Sequence, residues 1–135
     1  MNEVFFSIVI PTMDRHETLP FTIRTCLSQN YGNFEIVVSD NYSSPETRAV
    51  VEALGSDRVR YVRTEGRLAM TNSFEFAVSH ARGDYVIVLG DDDALLPHAL
   101  RELNRIISLH RPQAVRWDRV YYSWPNMIPT ELAGR

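Results

Sequence analysis

Apolar residues along the chain follow two alternating rhythms. Short runs rich in β-branched and aromatic side chains read as strands at residues 5–11 (FFSIVIP), 34–38 (FEIVV), 59–62 and 85–89 (YVIVL). Between them, apolar positions recur at helical spacing. The sets are Leu19, Ile23, Cys26 and Leu27; Val50, Val51 and Leu54; Met70, Phe74, Ala77, Val78 and Ala81; and Leu96, Leu100, Leu103 and Ile107. The punctuation agrees with this reading. Thr18 is placed to N-cap the first helix with Pro20 in its first turn, and Ser44-Pro45 reads as an N-cap followed by the first residue of the second. Gly55 and Gly83 are expected to stop the second and third helices, and Pro97 to open the fourth. Residues 85–89 are apolar throughout, as in a strand covered on both faces. A fifth strand is expected at 114–117, and an irregular tail after Trp124. Four alternations of strand and helix predict an α/β fold: one three-layer α/β/α domain over residues 1–135, with a mainly parallel sheet and right-handed crossovers. There is no internal repeat, low-complexity segment or linker.

Composition narrows the chemistry. Hydrophobic residues make up 44% and charged residues 23%, ordinary for a globular domain. All fourteen basic residues are arginine and the formal net charge is −3, so no broad basic face for nucleic acid is expected. The absence of lysine excludes Schiff-base chemistry and a P-loop lysine. It also counts against receiver domains and haloacid-dehalogenase-type phosphatases, which set a lysine beside their acidic site. The single cysteine, Cys26, allows no internal disulfide, and its place on an apolar stripe marks it as a buried structural thiol. The four histidines show no metal-ligand spacing. No run approaches the ~18–20 residues of a membrane span, and the N-terminus lacks the basic start of a signal peptide. Cytoplasmic residence is the expectation.

In open α/β sheets ligands bind outside the carboxyl ends of the strands. Those ends carry Pro11-Thr12-Met13-Asp14-Arg15, Asp40-Asn41, Arg63 with Arg67, and Asp91-Asp92-Asp93. Neighbouring carboxylates repel by roughly 3 kcal/mol per pair at ~5 Å and an effective dielectric of ~20. A hard cation, Mg²⁺ or Mn²⁺, is the natural compensation, since such ions combine one or two carboxylates with substrate phosphates. A solvated loop capping the next helix is the plain alternative. Arg63 and Arg67 are candidates to offset diphosphate charge.

Three segments carry a resemblance: SIVIPTMDR, LSQNYGNFEIVVSDNYSS and EFAVSHARGDYVIVLGDDDALLP. Their order and spacing resemble the family 2 glycosyltransferases, inverting enzymes with a Rossmann-like GT-A fold that use nucleotide-diphosphate sugars. The resemblance implies that Pro11, Thr12 and Asp14 line the nucleotide pocket and that Asp40 reads the edge of the base. It implies that Asp91 faces the ribose or sugar, that Asp92 binds the metal bridging to the diphosphate, and that Asp93 is a second ligand. Arg67 joins the nucleotide-binding set. The partner implied is a nucleotide-diphosphate sugar, with a UDP-type donor favoured. The chain departs from the family pattern in three places: Met13 stands where an aromatic is usual, Gly90 where the acidic motif usually begins with Asp, and Asn41 where a second Asp is common. By the same resemblance the chain corresponds to a truncated, donor-binding half, with the acceptor-binding half and its general base expected beyond residue 135. Glu131 carries no mark of a base. A non-catalytic nucleotide-binding module is therefore the alternative. A nucleotidyltransferase is disfavoured by the glycine-free PTMDRHET loop. Relatives that work on lipid or polysaccharide acceptors make peripheral association with the inner membrane face a second expectation. The aromatic set Trp117, Tyr121, Tyr122 and Trp124 fits either an acceptor cleft or self-association.

Overall fold

The computed structural model describes residues 3–119. Its elements run β1 (Phe6–Thr12), α1 (Leu19–Leu27), β2 (Phe34–Asp40), α2 (Pro45–Glu52), β3 (Val59–Arg63), α3 (Met70–Ser79), β4 (Tyr85–Val88) and α4 (Ala99–His110). The four strands form one parallel sheet in the order β3-β2-β1-β4. Strand order thus reverses between β1 and β4, and this is where a crevice opens in doubly wound sheets.

Period-two alternation divides the sheet's two faces. Ile8, Ile10, Ile36, Val38 and Ile87 point to one side, where Leu19, Ile23 and Cys26 of α1, Val51 of α2 and Leu100, Leu103 and Ile107 of α4 cover them. Val9 and Val37 point to the other, where Ala77 of α3 closes a smaller cluster. The three layers are therefore unequal, with three helices on one face and one on the other.

Several expectations need correction. Thr18 and Ser44 occupy N-cap positions, but neither side chain bonds a helix amide. Residues 114–117 form no strand; the chain leaves α4 through Arg111 in the left-handed region and runs past β4 without a ladder, Tyr85 donating its hydroxyl to the Pro112 carbonyl. β4 is not covered on both faces, because Val86 is 40% and Val88 46% exposed on the side that α3 leaves open. The α3 stripe is likewise not a core face: Ser73 and Ala77 are buried while Met70, Phe74 and Val78 are exposed. Small residues let the helix approach the sheet closely, and the larger ones are turned outward. Leu96 is exposed and Leu95 is buried in its place. Gly83 does not cap α3, which ends at Ser79 with His80 as its C-cap. It lies against β1, where a Cβ would meet the Phe5 carbonyl oxygen and the Ser7 nitrogen, each at 2.6 Å. Gly55, at φ 59°, does follow α2 in the conformation that glycine favours. Tyr121, Tyr122, Trp124 and Glu131 lie outside the described residues, and Trp117 is half exposed.

Candidate functional site

The carboxyl ends of β1 and β2 lie side by side, Thr12 in register with Asp40. Pro11 explains why β4 parts from β1 just there. Leu89 donates its amide to the Val9 carbonyl, and two residues on, Pro11 presents the same edge of β1 with no N–H to continue the ladder. Across the resulting gap, the Thr12 hydroxyl donates to Asp91 Oδ2 at 2.8 Å. Arg15 Nη2 donates to Asp92 Oδ2 at 2.8 Å, and its Nε lies 3.5 Å from Asp91 Oδ1. The acidic loop therefore faces the rim that holds Thr12 and Asp40.

The backbone of that loop is gripped from below. Thr22, Thr25 and Gln29 lie on one side of α1 and its C-terminal turn, on an otherwise apolar face. The Thr22 hydroxyl donates to the Asp93 carbonyl at 2.7 Å, and Thr25 Oγ1 accepts the Leu95 amide at 3.2 Å. Gln29 Nε2 donates to the Leu96 carbonyl, and Gln29 Oε1 accepts the Leu100 amide. Thr22 is fully buried and Gln29 nearly so.

Asp14 organises the opposite wall. It sits at φ 54°, in the left-handed region that aspartate tolerates better than most residues. Its amide donates to Ser43 Oγ at 2.8 Å, its Oδ1 accepts the Ser44 amide at 3.0 Å, and its Oδ2 accepts Arg67 Nη2 at 2.5 Å. The Ser44 amide above all, with the Arg67 guanidinium adding to it, holds the Asp14 carboxyl below its ordinary range, against desolvation, which acts to raise it. The loops after β1, β2 and β3 are thereby tied together.

Asp40 is placed differently from a residue that offers an open acceptor. Its side chain is buried, Oδ1 accepts the Ser43 amide at 2.8 Å, Oδ2 accepts the Tyr61 hydroxyl, and Arg63 Nε lies 3.6 Å away. Burial first, and then the bond to Asp40, push the Tyr61 phenol well above its usual range. Arg63 also donates to the Ser43 carbonyl and lies 4.4 Å over the ring of Tyr42, so it is spent inside the β2–β3 corner. Arg67, by contrast, reaches the rim with its side chain 59% exposed. His16, beside Asp14, has a buried Nδ1 with no hydrogen-bond partner.

Arg15, Asn41, Ser43 and Tyr61 are the site residues that sequence reasoning left without a role. For Tyr61 a signal existed: with Asp40 opposite Arg63, period two puts Tyr61, Arg63 and Asp40 on one face of adjacent strands. For Asn41 the signal was its departure from the resembled pattern.

Two carboxylates are suited to a hard cation. A Cβ built on Gly90 would lie 2.7 Å from Asp93 Oδ2 and 3.3 Å from Asp92 Oδ1, so the missing side chain lets both carboxylates fold back against the loop. Among the described residues no group of three His, Cys, Asp or Glu side chains is arranged to hold a metal. A hard cation here would have to take these two carboxylates and complete its shell with substrate phosphate and water.

The architecture is that of a glycosyltransferase with a GT-A fold. S. aureus TarS 1–349 superposes with a TM-score of 0.74 at 22% identity, over 79% of this chain and 33% of that one. The mannosyltransferase PcManGT from Pyrobaculum calidifontis, solved with GDP-Man and Mn²⁺, superposes at 0.69 with 22% identity, over 83% and 34%. The model of Glycosyl transferase family 2 matches residues 7–130, and the chain belongs to that family. A GalNAc(5)-diNAcBac-PP-undecaprenol beta-1,3-glucosyltransferase of Campylobacter jejuni is 33% identical over 100 residues, 72% of this chain and 32% of its own length. An Escherichia coli UDP-Glc:alpha-D-GlcNAc-diphosphoundecaprenol beta-1,3-glucosyltransferase, WfgD, is 27% identical over 74% of this chain and 40% of its own. The chain spans about a third of the length of these relatives.

Proposed function

We propose that this chain is the donor-binding part of an inverting glycosyltransferase, which moves a sugar from a nucleotide diphosphate to an acceptor hydroxyl. The observation that carries the reading is the Thr12–Asp91 hydrogen bond across the gap between β1 and β4. It sets the acidic loop on the same rim as the Asp14–Arg67 pair, so that cationic and anionic groups face one crevice. Family membership supports the reaction class. The TarS structures with UDP and with UDP-GlcNAc, and PcManGT with GDP-Man, support a nucleotide-sugar partner.

In this reading Pro11 ends the β1–β4 ladder and so opens the crevice. Thr12 and Asp14 line it, Asp91 faces the ribose or sugar, and Arg67 meets the nucleotide from the β3–α3 loop. Asp40 acts on the base from behind, through the shape of the Asp40–Ser43 turn that its Oδ1 holds. Asp92 with Asp93 would hold Mg²⁺ or Mn²⁺, which when bound neutralises charge on the departing diphosphate. Arg15 now offsets the charge of Asp91 and Asp92, and a cation on those carboxylates would free it to turn to the diphosphate. Inversion requires an acceptor hydroxyl to attack from the far face of the sugar with help from a base. None of the described residues is assigned that role. The names of the two relatives favour a lipid-linked diphosphate acceptor.

Calorimetric titration with UDP and GDP, each with and without Mn²⁺, tests the site. The expected result is Mn²⁺-dependent binding of one nucleotide, lost in Asp92→Ala. Unchanged affinity in that variant would overturn the metal assignment, and the nucleotide that binds identifies the base.

A further inference from the structure

The β3–α3 loop, residues 64–69, has no regular structure, yet it delivers Arg67 to the rim. Asn41 holds its backbone, while Asp14 holds the Arg67 side chain. The Asn41 amide donates to the Thr12 carbonyl at 2.9 Å, which fixes its backbone to the end of β1. Its side-chain Nδ2 donates to the Leu68 carbonyl at 2.9 Å, and its Oδ1 accepts the Leu68 amide at 2.8 Å. The carboxamide thus pairs with both backbone groups of the residue next to Arg67, as a neighbouring strand would. The Thr64 hydroxyl, donating at 3.5 Å to Oδ1, and the Thr64 amide, donating at 3.0 Å to the Asp40 carbonyl, brace the start of the same loop. Asn41 is 5% exposed, so water does not readily replace these bonds.

We propose that Asn41 is a positioning residue that sets the affinity for the nucleotide diphosphate by holding Arg67 against the crevice; this rests on the nucleotide-binding reading above. The chemistry is specific to a carboxamide. Aspartate, nearly the same shape, accepts the Leu68 amide but has no hydrogen for the Leu68 carbonyl, and sets negative charge against that oxygen. The bond to the Leu68 carbonyl is lost and replaced by oxygen–oxygen repulsion, while the bond from the Leu68 amide remains. Residues 64–69 then swing more freely, and Arg67 must be ordered at the moment of binding, which weakens binding without touching a ligand contact.

The experiment compares wild type, Asn41→Asp, Arg67→Ala and the double variant. UDP and GDP binding is measured by calorimetry with Mn²⁺, and amide hydrogen exchange is followed by mass spectrometry on the same samples. Asn41→Asp is expected to weaken binding on the order of ten-fold, the range of one hydrogen bond. It should speed exchange over 64–69 while leaving β1 and β2 protected. In the Arg67→Ala background it should cost little more, because the two residues act along one route. A full additional loss in the double variant, or unchanged exchange in the loop, overturns the proposal. Should Asn41→Asp fail to fold, Asn41→Ser removes both amide atoms without adding charge, and the same outcomes apply. If wild type binds neither nucleotide, the nucleotide-binding reading fails and the affinity role falls with it. The exchange comparison still decides whether Asn41 holds the loop.

Discussion

Asp40 shows how much one side chain can require of its neighbours. A buried carboxylate is tolerated only when its lone pairs are taken, and here a turn amide, a phenol and a guanidinium share them. Removing the phenol in Tyr61→Phe leaves Oδ2 facing Arg63 alone. Unfolding in urea is expected to show a loss of about 1–3 kcal/mol, the cost of an unmade bond to a buried charged group. A loss no larger than that of an exposed Tyr→Phe change would show that Arg63 suffices. Sequence reading placed Asp40 on the rim, where it does lie. It could not see that both oxygens were already engaged, because the partners come from β3 and from a turn whose geometry depends on strand register. The same holds for Asn41: nothing local in the letters shows that its amide meets Leu68, twenty-seven positions away.

At the scale of elements, α1 does two jobs. Leu19, Ile23 and Cys26 bury into the core, while Thr22, Thr25 and Gln29 hold the backbone that carries the acidic loop. The apolar spacing was legible and predicted the helix. The polar set was not, since threonine and glutamine at helical spacing read as surface until the loop that covers them is known. Thr22→Val keeps the shape and removes the donor to the Asp93 carbonyl. It is expected to lower stability by about 1–2 kcal/mol in a denaturant titration, and to weaken Mn²⁺-dependent nucleotide binding. Stability lost with binding intact would separate the helix's structural role from the site. α3 and β4 were misread for one shared reason. A stripe of large apolar residues predicts a buried face only if something lies over it. Here small residues make the contact with Val9 and Val37, and the large ones face outward beside Val86 and Val88.

For the whole molecule, the order of strands and helices, the parallel sheet and the rim were legible, because strand and helix periods are written locally. The unequal layering was not, because it depends on which face each crossover takes. That layering bears on the response to pH. Cys26 lies under the heavier layer, where burial pushes its thiol from 9.0 up to about 12. Tyr61 is raised in the same direction. Both groups keep their protons in the folded chain and lose them sooner when unfolded, so their stabilisation is complete below about pH 9 and is lost as pH rises. Thermal unfolding at pH 7, 9 and 10 is expected to show a falling midpoint above pH 9, with a shallower fall in Cys26→Ala. Equal slopes would place the alkaline sensitivity elsewhere. The two walls of the crevice also differ mechanically. The acidic loop is fastened to α1 and its C-terminal turn through the backbone groups of Asp93, Leu95 and Leu96, whereas the arginine-bearing loop is held by the Asn41 carboxamide, by Thr64 and by the Asp14–Arg67 ion pair. The acidic wall is therefore held chiefly from a buried helix face, and the arginine-bearing wall chiefly by side chains from the neighbouring loops.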